Sequence, residues 1–147
     1  MNQERIAILA ERVDEAARTA RAVAQFGAEE ALKVGDAYAI QSASIHRRVA
    51  RGERRTGVKM GFTSRAKMVQ MGVHDMIWGR LTDAMAEEDG GQVSLGRFVH
   101  PRVEPELVFL LGKPLPAGAS LAQALDAVTA IAPALEIIDS RFENFRF

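Results

Sequence analysis

The chain contains no cysteine. Disulfides, thiolate metal sites and cysteine nucleophiles are therefore excluded. It carries no net charge, with 19 Lys and Arg set against 19 Asp and Glu. Nothing pulls the whole molecule toward nucleic acid or an anionic membrane. No apolar run approaches the length of a membrane-spanning helix. The opening stretch "MNQERIAILAERVDE" is charged throughout and lacks the apolar centre of a signal peptide. The cytoplasm is therefore the expected location. There is no internal repeat and no low-complexity tract. What is present is 147 residues, 48% hydrophobic and 26% charged, the profile of a soluble globular domain.

The periodicity predicts a helix over 3–25. Ile6, Leu9, Val13, Ala16, Ala17, Ala20 and Val23 recur at three- and four-residue spacing, and Gly27 would end it. A second helix is predicted over 36–51, capped by Asp36, with Ala37, Tyr38, Ile45 and Val49 inward. After Gly52 the pattern changes. "RRTGVKMGFTS" has a strand-like centre between glycines. "TSRAKMVQMG" reads as a short helix with Thr63 or Ser64 as cap and Gly72 as stop. "IWGRLTDAM" reads as a strand or extended loop, and "EEDGG" as a turn. "VEPELVFLLG" reads as a strand and "KPLPAGAS" as a loop. "SLAQALDAVTAIA" reads as a helix capped by Ser120, and "PALEIIDSRF" as a strand opened by its proline. The chain stops amid Phe142, Phe145 and Phe147, which need cover from a partner or from further chain.

Glu104 and Glu106 stand two apart in "HPRVEPELVFLLG". On a strand they share a face, about 6.7 Å apart along the chain. Their repulsion is roughly 2.5 kcal/mol at an effective dielectric of 20 and about 0.6 in bulk water. An exposed pair is harmless, whereas a pair in a cleft calls for a cation or a retained proton. Hard oxygen ligands of this kind suit Mg²⁺ or Mn²⁺. Pro105 cannot donate a ladder bond, which points to an edge or an irregular strand start. Glu136 lies among Leu135, Ile137 and Ile138, in the setting of a largely buried strand, and needs a partner; Arg141 is close enough in sequence to offer one. On the residues alone two readings stand: solvated acids with a salt-bridged Glu136, or cation ligands.

Lys59 sits in the glycine-flanked strand "GVKMG". It reads either as an edge lysine snorkelling to water or as a cation for an anionic substrate and a proton carrier. Arg47, Arg48, Arg51, Arg54 and Arg55 form a charge run. Without interleaved aromatics it reads as the solvated end of the second helix rather than a nucleic-acid patch. His46, His74 and His100 lack metal-ligand spacing, and His100 reads as a structural loop residue. Neither Ser64 nor Ser140 lies in a nucleophile motif.

Four blocks, "VKMGFTSRAKMVQMGV", "IWGRLTDAM", "HPRVEPELVFLLGKPL" and "PALEIIDSRFENFRF", together resemble the 2-keto-4-pentenoate hydratase and 4-oxalocrotonate decarboxylase family of the fumarylacetoacetate hydrolase-like superfamily. The resemblance implies an α+β fold: a helical region over 1–54, then the first portion of a mixed, curved catalytic β-roll over 55–147. It implies a metal-dependent lyase acting on 2-oxo acids from the meta-cleavage of aromatic compounds. Mg²⁺ or Mn²⁺ would be held by Glu104, Glu106 and Glu136, with Lys59 in catalysis and substrate binding. Hydratases of the family tend to carry an aspartate before an aromatic–glycine pair. Here Ile77 precedes Trp78 and Gly79, and Ile77 is expected at the substrate. That block and "SRFENF" lean toward decarboxylation of 4-oxalocrotonate (2-oxo-3-hexenedioate), with the hydratase and a non-catalytic scaffold subunit as alternatives. The implied partners are a small 2-oxo acid and other subunits, in a homo-oligomer or a complex with a related hydratase or decarboxylase. No nucleic acid or membrane partner is implied. Family members continue through further strands, so the chain is expected to be the front part of a longer one.

Overall fold

The computed structural model describes residues 1–27, 30–72 and 74–146. The chain divides into two compact units: His100–Ser140, and the remaining described residues.

In the larger unit, helix α1 (Gln3–Thr19) begins at Asn2, whose side chain accepts from the Arg5 N–H at 2.9 Å. That satisfies one of the donors a helix start leaves open. Helix α2 (Val34–Ala50) begins at Lys33. Asp36 stands three residues into the capping box rather than at the cap, and accepts from the Lys33 N–H at 3.1 Å. The two helices bury Leu9, Ala10 and Ile40 between them, with Ile6, Val13, Phe26, Leu32 and Ala43 packed around. The buried alanines, Ala10 and Ala16, let the backbones approach closely. On α2 the inner positions are Ile40 and Ile45, whereas the expected Ala37 and Val49 are exposed.

Helix α1 ends at Thr19, well before Gly27. Ala20 takes the left-handed conformation at φ 51°. The chain is then drawn into backbone pairing: the Val23 N–H donates to the Arg141 carbonyl at 2.9 Å, and the Glu143 N–H to the Val23 carbonyl at 3.0 Å. Those two bonds explain why the helix stops early. They also bring Phe142 edge-on to Phe26, ring centres 5.2 Å apart. Phe142 thus finds cover within its own unit. The expectation for Phe147 lies outside the described residues.

Strand β1 (Arg55–Gly61) pairs antiparallel with β2 (Ile77–Thr82). Between them lies helix α3 (Arg65–Met71), capped by Ser64 and stopped by Gly72 at φ 65°. β2 docks on α2 through one cluster. Trp78 stacks on Tyr38 with ring centres 5.0 Å apart. The Trp78 N–H donates to the Tyr38 hydroxyl at 3.3 Å. Gln41 donates to the Trp78 carbonyl at 3.0 Å and accepts from Arg80 at 3.0 Å.

The smaller unit is a ribbon of β3 (Pro101–Leu111) and β4 (Val128–Asp139), antiparallel, with helix α4 (Leu121–Ala127) in the connection. Ser120 caps α4 as expected, but the helix stops at Ala127. The strand begins at Val128, so Pro133 lies inside it, opposite Leu107. β-Branched Val128, Thr129 and Ile131 favour the strand over a longer helix. Pro133 and Pro105 are tolerated because each strand of a two-stranded ribbon keeps an open edge, where a missing N–H forfeits no ladder bond. The ribbon exposes much apolar surface: Leu107 is 65% exposed, Phe109 53% and Leu135 72%. β4 is therefore not the largely buried strand that its composition suggests, because no second layer covers that face among the described residues.

Among those residues no helix is long and apolar enough to cross a membrane.

Candidate metal centre

The register of the β3–β4 ribbon decides which acids meet. Glu104 lies directly opposite Glu136, and Glu106 opposite Ala134. Alternation puts Glu104, Glu106 and Glu136 on one face. The odd-numbered face carries Val103, Pro105, Leu107 and Phe109 against Ile137, Leu135, Pro133 and Ile131. One carboxylate oxygen from each of the three glutamates lies within 4.8 Å of the other two. Glu104 and Glu106 are exposed and Glu136 is half-buried.

At that separation each like-charged pair repels by about 0.9 kcal/mol in water, and by about 3.5 at an effective dielectric of 20. Exposure keeps the cost near the lower figure. Three anionic oxygens converging from two paired strands, with no nitrogen or sulfur donor in the group, suit a hard divalent cation such as Mg²⁺ or Mn²⁺. The donor set therefore fits the group that the resemblance implies.

Lys59 and Ile77 belong to the other unit. Lys59 pairs with Gly79 across the β1–β2 ladder, and Ile77 with Gly61. They share the face opposite Trp78 and Arg80, which are engaged with α2. Lys59 is half-buried, and Ile77 is 46% exposed.

The arginine run has a different role from a solvated helix end. Arg51 makes a bidentate pair with Asp14, both contacts at 2.7 Å. Arg47 reaches Asp14 at 3.0 Å and Glu11 at 3.0 Å. Arg48 pairs with Glu53 at 2.8 Å, and Arg54 with Asp83 at 3.0 Å. Four of the five guanidinium groups thus have carboxylate partners, which leaves little free charge for a phosphate backbone. Asp14 is 2% exposed. Burial pushes its carboxyl up, but the bonds from Arg51 and Arg47 outweigh that and hold it below its ordinary value. Reading the apolar stripe alone misses Asp14. The available signal was an acid amid that stripe together with arginines four apart, at 47 and 51, on the partner helix. His100 is a structural loop residue: its N–H donates to Asp139 at 2.6 Å, and its Nδ1 lies 3.2 Å from the Ser140 carbonyl.

An α+β chain with an acidic, oxygen-only cluster on a β-ribbon defines a class, that of candidate divalent-metal proteins. Comparison with known proteins narrows it. No family model matches the chain. A 4-oxalocrotonate decarboxylase of a Pseudomonas species is 52% identical over 143 residues, 97% of this chain and 56% of that protein. A 2-hydroxypent-2,4-dienoate hydratase of Pseudomonas putida is 38% identical over 117 residues, 78% of this chain and 53% of that one. The solved 4-oxalocrotonate decarboxylase of Pseudomonas putida G7, complexed with magnesium and adipate, superposes with a TM-score of 0.93 at 36% identity, covering 100% of this chain and 57% of that structure. The chain belongs to the 4-oxalocrotonate decarboxylase and 2-keto-4-pentenoate hydratase family and corresponds to the N-terminal part of its longer members. It spans about half the length of the curated relatives it matches.

Proposed function

We propose that this chain carries the metal-binding and substrate-contacting residues of a 4-oxalocrotonate decarboxylase. The observation that carries the reading is the cluster of Glu104, Glu106 and Glu136, in a chain that aligns over its whole length with a decarboxylase solved with magnesium and a six-carbon dicarboxylate. The three glutamates would hold Mg²⁺ or Mn²⁺. When bound, the ion supplies Lewis acidity toward the oxygens of a 2-oxo acid. In the reaction the bond to the distal carboxylate breaks and CO₂ leaves. The electron pair delocalises along the conjugated chain to the 2-oxygen, and protonation there gives 2-hydroxypenta-2,4-dienoate.

The chain's own residues have separate tasks. The Lys59 ammonium pairs with a substrate carboxylate or hands on a proton from Nζ. Ile77 offers an apolar wall and no acid or base. Decarboxylation tolerates that, whereas hydration needs a group to activate water. The proposed place of action is the cytoplasm, in meta-cleavage catabolism of aromatic compounds. The proposed partners are further subunits, of the same chain or of a related hydratase.

The hydratase is the second reading. It is supported by the 38% identity to the Pseudomonas putida hydratase, against 52% to the Pseudomonas decarboxylase. A third reading is a non-catalytic scaffold subunit. The test is to supply Mg²⁺ with each substrate. CO₂ from 4-oxalocrotonate, abolished by EDTA, supports the decarboxylase. 4-Hydroxy-2-oxovalerate from 2-hydroxypenta-2,4-dienoate supports the hydratase. Neither product, with no metal bound, supports the scaffold.

A further inference from the structure

One face of the β1–β2 ribbon sets a glycine against a large side chain on each of its successive rungs. Gly57 faces Leu81, Gly79 faces Lys59, and Gly61 faces Ile77. A Cβ on Gly79 would lie 3.1 Å from Lys59 Cγ and 3.4 Å from its Cδ. A Cβ on Gly61 would lie 2.9 Å from Ile77 Cγ1 and 3.2 Å from its Cδ1. A Cβ on Gly57 would meet nothing within 4 Å. Neither Gly61 nor Gly79 has a positive φ, so the backbone does not demand glycine at either place. Glycine inside a strand forfeits packing and costs entropy on folding. What these two gain is room.

We propose that Gly79 and Gly61 are positioning residues for substrate recognition. Gly79 leaves the recess over which the Lys59 stem crosses the ladder, and so sets the direction of Nζ. Gly61 leaves the recess that seats Ile77. The stem's rotamer freedom is then given up on folding rather than on binding, which is preorganisation. The proposal rests on the reading of Lys59 and Ile77 as substrate contacts, but its test uses neither metal nor turnover.

The test is reductive methylation of the intact protein, read residue by residue by mass spectrometry, with Lys33, Lys67 and Lys113 as internal standards. Gly79→Ala is expected to change the Lys59 rate severalfold and leave the standards unchanged. Gly57→Ala, on the same face, is expected to leave every rate as in the wild type. A Lys59 rate unchanged in Gly79→Ala overturns the proposal. Should Gly79→Ala fail to fold, the Lys59→Ala/Gly79→Ala double variant decides. A wild-type-like melt supports the contact, and continued failure overturns it. For Gly61, the Tm drop of Gly61→Ala is expected to vanish in an Ile77→Ala background, and an equal drop in both overturns that half. Loss of the decarboxylase reading would leave these labelling and melting results standing, and the reverse also holds.

Discussion

The two units handle charge in opposite ways. In the helical unit, opposite charges are brought together: Asp14 is buried and takes bonds from Arg47 and Arg51. In the β3–β4 ribbon, like charges are brought together: three glutamate oxygens converge within 4.8 Å. The first arrangement stabilises the fold that contains it. The second sets like charges against one another, a repulsion that a bound cation would relieve. The charges around Asp14 therefore read as structural, and those of the glutamate cluster on the ribbon as functional.

Substitutions can break or sharpen that contrast. Asp14→Ala is expected to have the largest effect. Removing one partner of a buried pair costs about 3–5 kcal/mol. Because the two arginines are each 40% exposed and regain water, the lower end, about 3 kcal/mol, is expected in urea denaturation. The pH dependence has a definite sign. The Asp14 carboxyl is held below its ordinary value of 3.8 by its arginines. Its contribution is therefore fully present above that pH and is lost as pH falls through the lower folded-state value. Asp14→Asn should flatten the acid limb of stability and leave the neutral region pH-independent. Glu104→Gln should act in the opposite direction. It removes two like-charge contacts within the cluster, and the metal-free protein is expected to gain about 1–2 kcal/mol while losing affinity for Mn²⁺. The smallest effect is expected at Glu15, whose pair with Arg18 at 2.6 Å is exposed on both sides. Glu15→Ala should leave the urea midpoint indistinguishable from that of the wild type.

Local signals read well from the sequence where one residue carries them. Ser64, Gly72 and Ser120 mark the ends of α3 and α4 because capping depends on a single side chain or a single φ. The grouping of Glu104 and Glu106 was legible because strand alternation is local. The position of Glu136 opposite Glu104 was not, because register between distant strands is set by the whole pairing. The same holds for the early end of α1, which follows from Val23 pairing near Phe142. It holds again for Asp14, whose burial depends on arginines from another helix. The junction at Ala127–Val128 was missed because an apolar helix running into an apolar strand shows no break in hydrophobicity.

The central claim is that the glutamate cluster exists to hold a divalent cation. Its most direct test is a Mn²⁺ titration followed by electron paramagnetic resonance, on the wild type and on Glu104→Gln, Glu106→Gln and Glu136→Gln, each with an unchanged circular dichroism spectrum. The account predicts saturable binding by the wild type that every one of the three substitutions weakens sharply. Equal binding by all four proteins, or none by the wild type, would contradict it.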